Sequence, residues 1–341
     1  MSTTVTQQLE PEVLKSRIAR FREVNSDIVT QVRRVIVGQE EVLEQVMIAL
    51  FVGGHCLITG LPGTAKTLLV RTMAQTLGLV FKRIQFTPDL MPSDITGTDI
   101  IEEDQTTGRR TWTFVQGPIF GNILLADEIN RTPPKTQSAL LEAMQERACT
   151  VRGNHYDLPA PFFVLATQNP IELEGTYPLP EAQLDRFLFN TVLDYLSANE
   201  EMKVVDLTTV TSVPHADTVT NAQEILDFQQ LVRMVPIGES VARHAVDLVR
   251  YSRSTDDEAP DFVKKYVNYG ASVRAAQFLV LAAKARALVK GRYHVTYEDI
   301  RALYIPVLRH RILLNFHAES DRLKQDDILK KILEWKPAPR D

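Results

Sequence analysis

Hydrophobic positions in the first part of the chain follow the spacing of amphipathic helices. The pattern over residues 11–52 is helical, with one interruption at residues 37–39. After the interruption, apolar residues recur every three or four positions over residues 40–51, which is the period of a helix with one buried face. Gly53 and Gly54 follow directly and are expected to end this helix.

Short apolar segments then alternate with helical ones. Apolar runs bounded by glycine or polar residues predict buried strands, and segments with helical spacing between them predict crossover helices. The predicted strands cover residues 55–59, 80–86, 123–126 and 162–167, and the predicted helices cover residues 66–77 and 134–147. This alternation is typical of an α/β fold, in which a parallel sheet has helices on both faces.

Two further segments have the pattern of β-hairpins. Residues 100–115 predict one hairpin, with Thr106, Thr107 and Gly108 as its turn, and residues 150–158 predict a second around Gly153.

The strand pattern fades from about residue 197. The helices predicted beyond that point cover residues 224–234, 238–252, 272–290 and 297–308. We therefore expect an α/β core over residues 1–196 and a smaller, all-helical second domain over residues 197–341.

Composition and charge narrow the class of protein. Apolar residues make up 44% of the chain and charged residues 24%, which is ordinary for a globular protein. The net charge of −5 weighs against non-specific nucleic-acid binding, which needs a basic surface. The start of the chain is polar, and no run approaches the roughly 18 apolar residues of a membrane span, so we expect a cytoplasmic protein without one. The two cysteines and scattered histidines predict neither a disulfide framework nor a zinc site.

A glycine-rich turn between the first predicted strand and its helix has the pattern of a phosphate-binding P-loop. Successive backbone N–H groups in such a loop form an anion nest, and the helix that follows adds the positive end of its dipole. Lys66 would reach the β- and γ-phosphates, and the Thr67 hydroxyl would ligate Mg²⁺. The nucleotide-contacting residues predicted here are Gly60, Pro62, Gly63, Thr64, Ala65, Lys66, Thr67 and Leu68.

One residue departs from the strict P-loop pattern. Ala65 precedes the lysine, where the pattern has glycine. We expect a helix-compatible backbone at this position, which alanine can adopt.

Two carboxylates follow the apolar strand at residues 123–126. Asp127 and Glu128 would lie at the carboxyl edge of the parallel sheet, where ligands bind and where the P-loop also begins. Asp127 is suited to hold Mg²⁺, directly or through water, and Glu128 to polarise the attacking water. Capping of the next helix is the alternative role for this pair.

The combined motifs resemble those of the AAA+ ATPases, and within them the MoxR family. The resemblance extends from Val37 to Arg311 and includes a long run that begins at Leu124. The matching segments are residues 60–67, 117–120, 124–131, 133–146, 166–170, 181–187 and 270–275.

The resemblance implies roles for five further residues. Val37 and Gly38 would contact adenine, and Asn169 would be the polar residue called sensor 1, which touches the γ-phosphate or orients water. Arg186 would be an arginine finger that acts on ATP in the neighbouring subunit; an ion pair with a nearby acid such as Asp185 is the alternative. Arg274 would be sensor 2 and would reach the γ-phosphate of its own subunit. Val273 stands where the family usually has proline.

The resemblance also implies an assembly and a class of partner. It predicts a homo-oligomeric ring, in the family a hexamer, that hydrolyses ATP with Mg²⁺. Its chaperone-like work would be the maturation, remodelling or metal loading of a protein client, together with a partner that has a von Willebrand factor A domain. Both hairpins would face the ring pore or the client, and Trp112, Arg109 and Arg110 are the candidate contact residues.

Two alternatives remain open at this point. A related ring could be a nucleic-acid motor, which would need a basic, aromatic-lined track, and Arg109, Arg110 and Arg152 are the candidate residues for it. A P-loop kinase for small molecules is the second alternative, and it predicts an active monomer.

Overall fold

A five-stranded parallel sheet forms the centre of the first part of the molecule. The structure, a computed structural model, describes residues 11–103, 110–169, 175–210 and 214–338. The strand order is β2-β5-β8-β1-β9. In chain order the described strands are β1 (Cys56–Gly60), β2 (Phe81–Gln85), β3 (Gly97–Glu103), β4 (Arg110–Gln116), β5 (Ile123–Asp127), β6 (Ala148–Val151), β7 (Asn154–Asp157), β8 (Phe163–Gln168), β9 (Phe189–Leu193), β10 (Val267–Tyr269) and β11 (Leu313–Leu314).

Helices of very different length surround the sheet and fill the rest of the chain. In chain order they are α1 (Pro11–Arg33), α2 (Glu40–Val52), α3 (Lys66–Thr76), α4 (Pro92–Thr96), α5 (Pro134–Glu146), α6 (Glu181–Leu184), α7 (Ala198–Thr208), α8 (Ala222–Met234), α9 (Glu239–Arg250), α10 (Asp261–Tyr266), α11 (Val273–Val289), α12 (Tyr297–Leu308), α13 (Phe316–Ser320) and α14 (Gln325–Trp335). The predicted α/β class and the helical character of the second half are confirmed.

The sheet brings the ends of its inner strands together. β1 pairs with β8 on one side and β9 on the other, and β5 lies between β2 and β8. All these pairings are parallel, and the interior residues of β5 are fully buried because helices cover both faces. Gln85 pairs in register with Asp127, so the carboxyl ends of β2 and β5 lie side by side.

The fifth strand, β9, is absent from the sequence-based prediction. Phe189 and Leu193 are buried on it, yet the segment is short and carries polar Asn190 and Thr191 between them. Only the pairing with β1 makes this segment a strand, because a short apolar run by itself fits several structures.

Both predicted hairpins are present and pack on each other. β3 pairs with β4 and β6 with β7, each antiparallel. The Phe114 ring of β4 stacks on Tyr156 of β7, with 4.1 Å between ring centroids. The predicted turn at Thr106, Thr107 and Gly108 lies outside the described residues.

One hydrophobic cluster joins the first helices to the helical second half. It contains buried side chains of α1 and α2 as well as of α8, α9, α11 and α12. The expected boundary after residue 196 falls between β9 and α7. Within the described ranges, no helix has the length and apolar character needed to cross a membrane.

Candidate functional site

The turn between β1 and α3 contains two residues with left-handed backbones, Gly63 and Ala65. Gly63 has φ of 81°, and a Cβ atom built on it would meet nothing within 4 Å, so the loop is open above this residue. The Lys66 ammonium donates hydrogen bonds to the carbonyl oxygens of Gly60 and Leu61, at 2.7 and 2.8 Å. Burial lowers the pKa of Lys66, while the negative charges of Asp127 and Glu128 act in the opposite direction. The loop therefore presents its lysine beside both acids.

Ala65 does not have the backbone that the sequence suggested. Its φ and ψ are 59° and 25°, in the left-handed region, and it is the residue that precedes α3. A helix-compatible conformation was expected, and that expectation is wrong. The left-handed region explains why the strict pattern has glycine here, since a Cβ atom makes this conformation unfavourable by about 1–2 kcal/mol.

Both oxygens of the Asp127 carboxylate accept hydrogen bonds within the protein. The hydroxyl of Thr167, at the end of the adjacent strand β8, donates to Oδ1 at 2.7 Å. Arg83 of β2 donates to Oδ2 from Nε at 3.2 Å and from Nη2 at 2.7 Å. The structure thus adds Arg83 and Thr167 to the predicted acidic pair.

Glu128 has three described partners. Gln85 Nε2 donates to Glu128 Oε2 at 2.9 Å, and the Arg131 guanidinium lies 3.1 Å from the same oxygen. The Glu128 backbone N–H donates to the Thr167 hydroxyl at 2.9 Å, and its φ of 58° is in the left-handed region. The first two contacts hold the carboxylate, which makes no cap hydrogen bond to the short helix at residues 129–131, so capping does not describe its role.

A cavity of about 440 Å³ brings the predicted phosphate-binding and acidic residues together. It is lined by Pro62, Gly63, Thr64, Ala65, Lys66, Thr67, Leu68, Asp127, Glu128, Thr167 and Asn169. All were predicted for the site except Thr167. The polar side chains gathered here are a lysine, two carboxylates, three hydroxyls and an amide, which fit a phosphate chain and a hard cation.

A second, mainly apolar cavity of about 390 Å³ adjoins the first, because both are lined by Gly63, Thr64, Ala65 and Leu68. Val37 lines it, as expected for an adenine-contacting residue. Gly38 does not; a Cβ atom there would lie 2.6 Å from Glu200 Oε1, so this residue packs against the start of α7. Gly38 is thus outside the lining of this cavity, and its contact with adenine stays a prediction.

One wall of this apolar cavity was not predicted from the sequence. Helix α7 supplies Glu201, Val204, Val205 and Thr208, and the segment after β9 supplies Tyr195 and Leu196. A signal for α7 exists in the sequence, because Ser197 and Glu200 have the spacing of a capping box. The Ser197 hydroxyl and backbone N–H both donate to Glu200 Oε2, at 2.7 and 2.9 Å.

Arg186 and Arg274 lie together, away from the P-loop cavity. Both line a separate cavity that also involves Arg147 and Phe278. Arg186 Nη1 donates to the Leu141 carbonyl oxygen at 2.6 Å. The sequence left an ion pair between Arg186 and Asp185 open; the described partners of that carboxylate are different residues.

Asp185 instead joins the Arg186 segment to the helical part of the chain. Arg311 Nε donates to Asp185 Oδ1 at 2.8 Å, and the Ser272 hydroxyl donates to Oδ2 at 3.0 Å. Arg274 Nη1 lies 3.6 Å from the same Oδ2. The expectation that Arg274 reaches the γ-phosphate of its own subunit therefore disagrees with its position, because this side chain lines the Arg186 cavity and not the P-loop cavity.

Comparison with known proteins agrees with the geometry. A sequence profile of the ATPase family associated with various cellular activities (AAA) matches residues 55–189, and a profile of the AAA lid domain matches residues 261–332. Chaperone MoxR1 of Mycobacterium tuberculosis is 41% identical over 310 residues, which are 91% of this chain and 81% of that protein. This chain belongs to the MoxR family of AAA+ ATPases.

One further curated relative and one solved structure extend the comparison. Protein MoxR of Paracoccus denitrificans is 31% identical over 87% of this chain and 89% of its own length. A solved structure from Cytophaga hutchinsonii, described as a candidate ATPase, aligns with a TM-score of 0.89 at 39% identity, covering 96% of this chain and 99% of that one. The MoxR-family fold is therefore shared over nearly the whole chain.

Proposed function

We propose that this MoxR-family chain binds ATP with Mg²⁺ across the two adjoining cavities and hydrolyses it to ADP and phosphate. One observation carries the proposal: a single cavity brings Lys66 and Thr67 of the P-loop next to Asp127, Glu128 and Asn169. The apolar cavity beside it would hold the adenine base, with Val37 and Leu68 in its lining.

The donor set of the larger cavity fits Mg²⁺. Asp127 and Thr67 offer the oxygen ligands that Mg²⁺ prefers, and this ion is usually held by one or two protein groups together with phosphates and water. Bound there, Mg²⁺ would neutralise charge that develops on the phosphate oxygens.

The protein groups around the phosphates have distinct tasks. Lys66 and the loop N–H groups bind the phosphate oxygens and stabilise their charge in the transition state. Glu128 accepts a proton from, or orients, the attacking water. Asn169, also in the cavity lining, can orient the same water or contact the γ-phosphate. Each task depends on the position of the side chain relative to the phosphates, and positioning is a large part of the catalysis of phosphoryl transfer.

The first prediction concerns the role of Glu128 in activating the attacking water. Glu128→Gln keeps the size and one oxygen of the side chain but removes its basicity, so ATP binding should persist while turnover falls by about 10²- to 10⁴-fold. Equilibrium binding of ATP and phosphate release measure the two effects separately. Glu239→Gln, an exposed change at the start of α9, is the matched control and should behave as the unaltered protein. Normal turnover by Glu128→Gln would remove Glu128 from the mechanism.

A ring assembly would explain the position of the two arginines. Arg186 and Arg274 line a cavity that shares no residue with the P-loop cavity, so in this conformation they face a different part of the surface. A guanidinium spreads charge over phosphoryl oxygens well, and in a ring both side chains would act on the nucleotide of the neighbouring subunit. The family resemblance favours six subunits.

The client of the ring is proposed to be a protein. Chaperone MoxR1 is named for such work, and the resemblance adds a partner with a von Willebrand factor A domain and tasks such as remodelling, maturation or metal loading. The Trp112 ring, 61% exposed on β4, is the described side chain best placed for contact. Co-purification with a von Willebrand factor A domain protein, lost on Trp112→Ala, would support this role.

The structure offers little support for the alternative function as a nucleic-acid motor. Arg110 lies 3.0 Å from Glu103, and Arg152 lies 3.8 Å from Asp99 and stacks over Trp112 at 4.5 Å. Two of its three candidate basic residues are thus partly neutralised. Turnover stimulated by DNA would be the result that favours a motor.

A further inference from the structure

Arg83 lies on β2, outside every segment that carries the family resemblance. Its guanidinium binds Asp127 Oδ2 through two N–H groups, Nε at 3.2 Å and Nη2 at 2.7 Å. We propose that Arg83 is a counter-ion of Asp127 that competes with Mg²⁺ for this carboxylate, and that its departure also loosens the hold on Glu128. The proposal rests on the magnesium site proposed above.

The two oxygens of Asp127 are held in different ways. Oδ1 accepts from Thr167, which is 1% exposed and fixed at the end of β8. Oδ2 is held by Arg83, whose side chain is 47% exposed, while that of Asp127 is 12% exposed. A long, half-exposed side chain can swing into solvent at little loss of packing, whereas the buried threonine cannot. Oδ2 is therefore the exchangeable side of the carboxylate.

Because both are positively charged, the Arg83 guanidinium and Mg²⁺ would compete for the Asp127 carboxylate. A guanidinium that donates twice to Oδ2 uses the lone pairs on that oxygen and offsets the charge of the carboxylate. A dication bound at the same carboxylate would be repelled by the guanidinium at short range. With Arg83 in its observed place, Asp127 is accordingly a weaker ligand for Mg²⁺ than a free carboxylate would be.

The same guanidinium sets the orientation of Gln85. Arg83 Nη2 donates to Gln85 Oε1 at 2.6 Å, and a guanidinium can only donate, so the amide oxygen must face it. The amide nitrogen then faces Glu128 and donates to its Oε2 at 2.9 Å. When Arg83 leaves Asp127, Gln85 loses this constraint, and Arg131 remains as the described cationic partner of Glu128. Occupation of the metal site is thereby coupled to the freedom of Glu128.

Magnesium titration of the full-length protein tests the competition without any turnover. The probe is a fluorescent ADP analogue at a fixed, saturating concentration, and the readout is the Mg²⁺ concentration that gives half of the fluorescence change. For Arg83→Gln this concentration should fall by roughly two- to fivefold, the size expected for losing a partly exposed ion pair. Arg83→Met, which cannot hydrogen-bond at all, should shift it in the same direction. An unchanged or higher half-saturation value in both variants would overturn the proposal.

Two controls separate this inference from the proposed function. Lys82→Gln removes one positive charge from the neighbouring position of the same strand, with no described contact to either acid, and should leave the half-saturation value unchanged. An equal fall for Lys82→Gln would overturn the proposal, since general charge would then explain the effect. Asp127→Asn should remove most of the Mg²⁺ response, and a normal response would reject the proposed metal site itself. If only the Arg83 variants leave the half-saturation value unchanged, the competition alone is rejected.

Discussion

At the scale of single residues, two of the six described non-glycine residues with a left-handed backbone line the P-loop cavity. Ala65 and Glu128 both have left-handed backbones, although neither is glycine. Non-glycine residues adopt this region at a free-energy cost, and such residues cluster where a fixed geometry serves function. Here Ala65 sets the step from the loop into α3, and Glu128 turns its side chain toward the cavity directly after β5.

The second prediction concerns Ala65. Ala65→Gly should raise the free energy of unfolding by up to about 1 kcal/mol, because the relief of left-handed strain exceeds the entropy that glycine adds to the unfolded chain. Chemical denaturation measures the change. Ala242→Gly, in the right-handed helix α9, is the control and should lose about 1 kcal/mol. Equal losses in the two variants would contradict the strain at Ala65.

The roles of site residues were predictable from the sequence where those residues lie within one contiguous motif. Lys66, Thr67, Asp127 and Glu128 belong to contiguous motifs that the sequence displays, and the structure brings all four to one cavity. Arg83 was not predicted, because its importance depends on the register of β2 against β5 and not on its neighbours in sequence.

At the scale of elements, α7 shows what local signals can and cannot provide. Its capping box marks a helix start at Ser197, and that signal was available in the sequence. The side chains of α7 that face the apolar cavity could not be assigned, since this depends on where the helix lies relative to residues 35–39 and α3, which line the same cavity. The helix thus brings residues beyond position 196 into the lining of this cavity.

The third prediction tests this wall of the cavity. Val204→Ala removes apolar surface from the lining and should weaken binding of ATP by about fivefold, equivalent to about 1 kcal/mol. Met202→Ala, on the same helix but 60% exposed and outside the cavity lining, is the matched control and should bind ATP normally. A fluorescent nucleotide titration compares them. Similar affinities for the two variants would place the base elsewhere.

At the scale of the whole molecule, the position of Arg186 depends on contacts with both parts of the chain. Asp185 ties the segment that carries Arg186 to Arg311 and Ser272 of the helical part. Burial lowers the pKa of Arg311 to about 10, which still leaves it charged at neutral pH. The segment that carries Arg186 is thus held by both parts of the chain. A movement of the helical part would therefore also move Arg186.

The fourth prediction mixes two inactive variants. Arg186→Ala and Lys66→Ala should each lose turnover, while an equal mixture should regain roughly a quarter of the normal rate, because one interface in four combines an intact lysine with an intact arginine. Phosphate release gives the rate, and light scattering gives the mass of the assembly. Absence of recovery in proven mixed rings would contradict action between subunits, as would full activity of a monomer.

The sequence by itself determined the fold class, the P-loop and the acidic pair. These features are local: strand and helix periods, a strand-to-helix turn and the end of an apolar run are each contained within a few residues. Tertiary structure decided what depends on distant segments meeting. Pairing with β1 made β9 a strand, strand register brought Arg83 to Asp127, and packing placed Arg274 beside Arg186 instead of beside the P-loop. Such contacts are set by burial and geometry summed over the whole chain, which no local pattern contains.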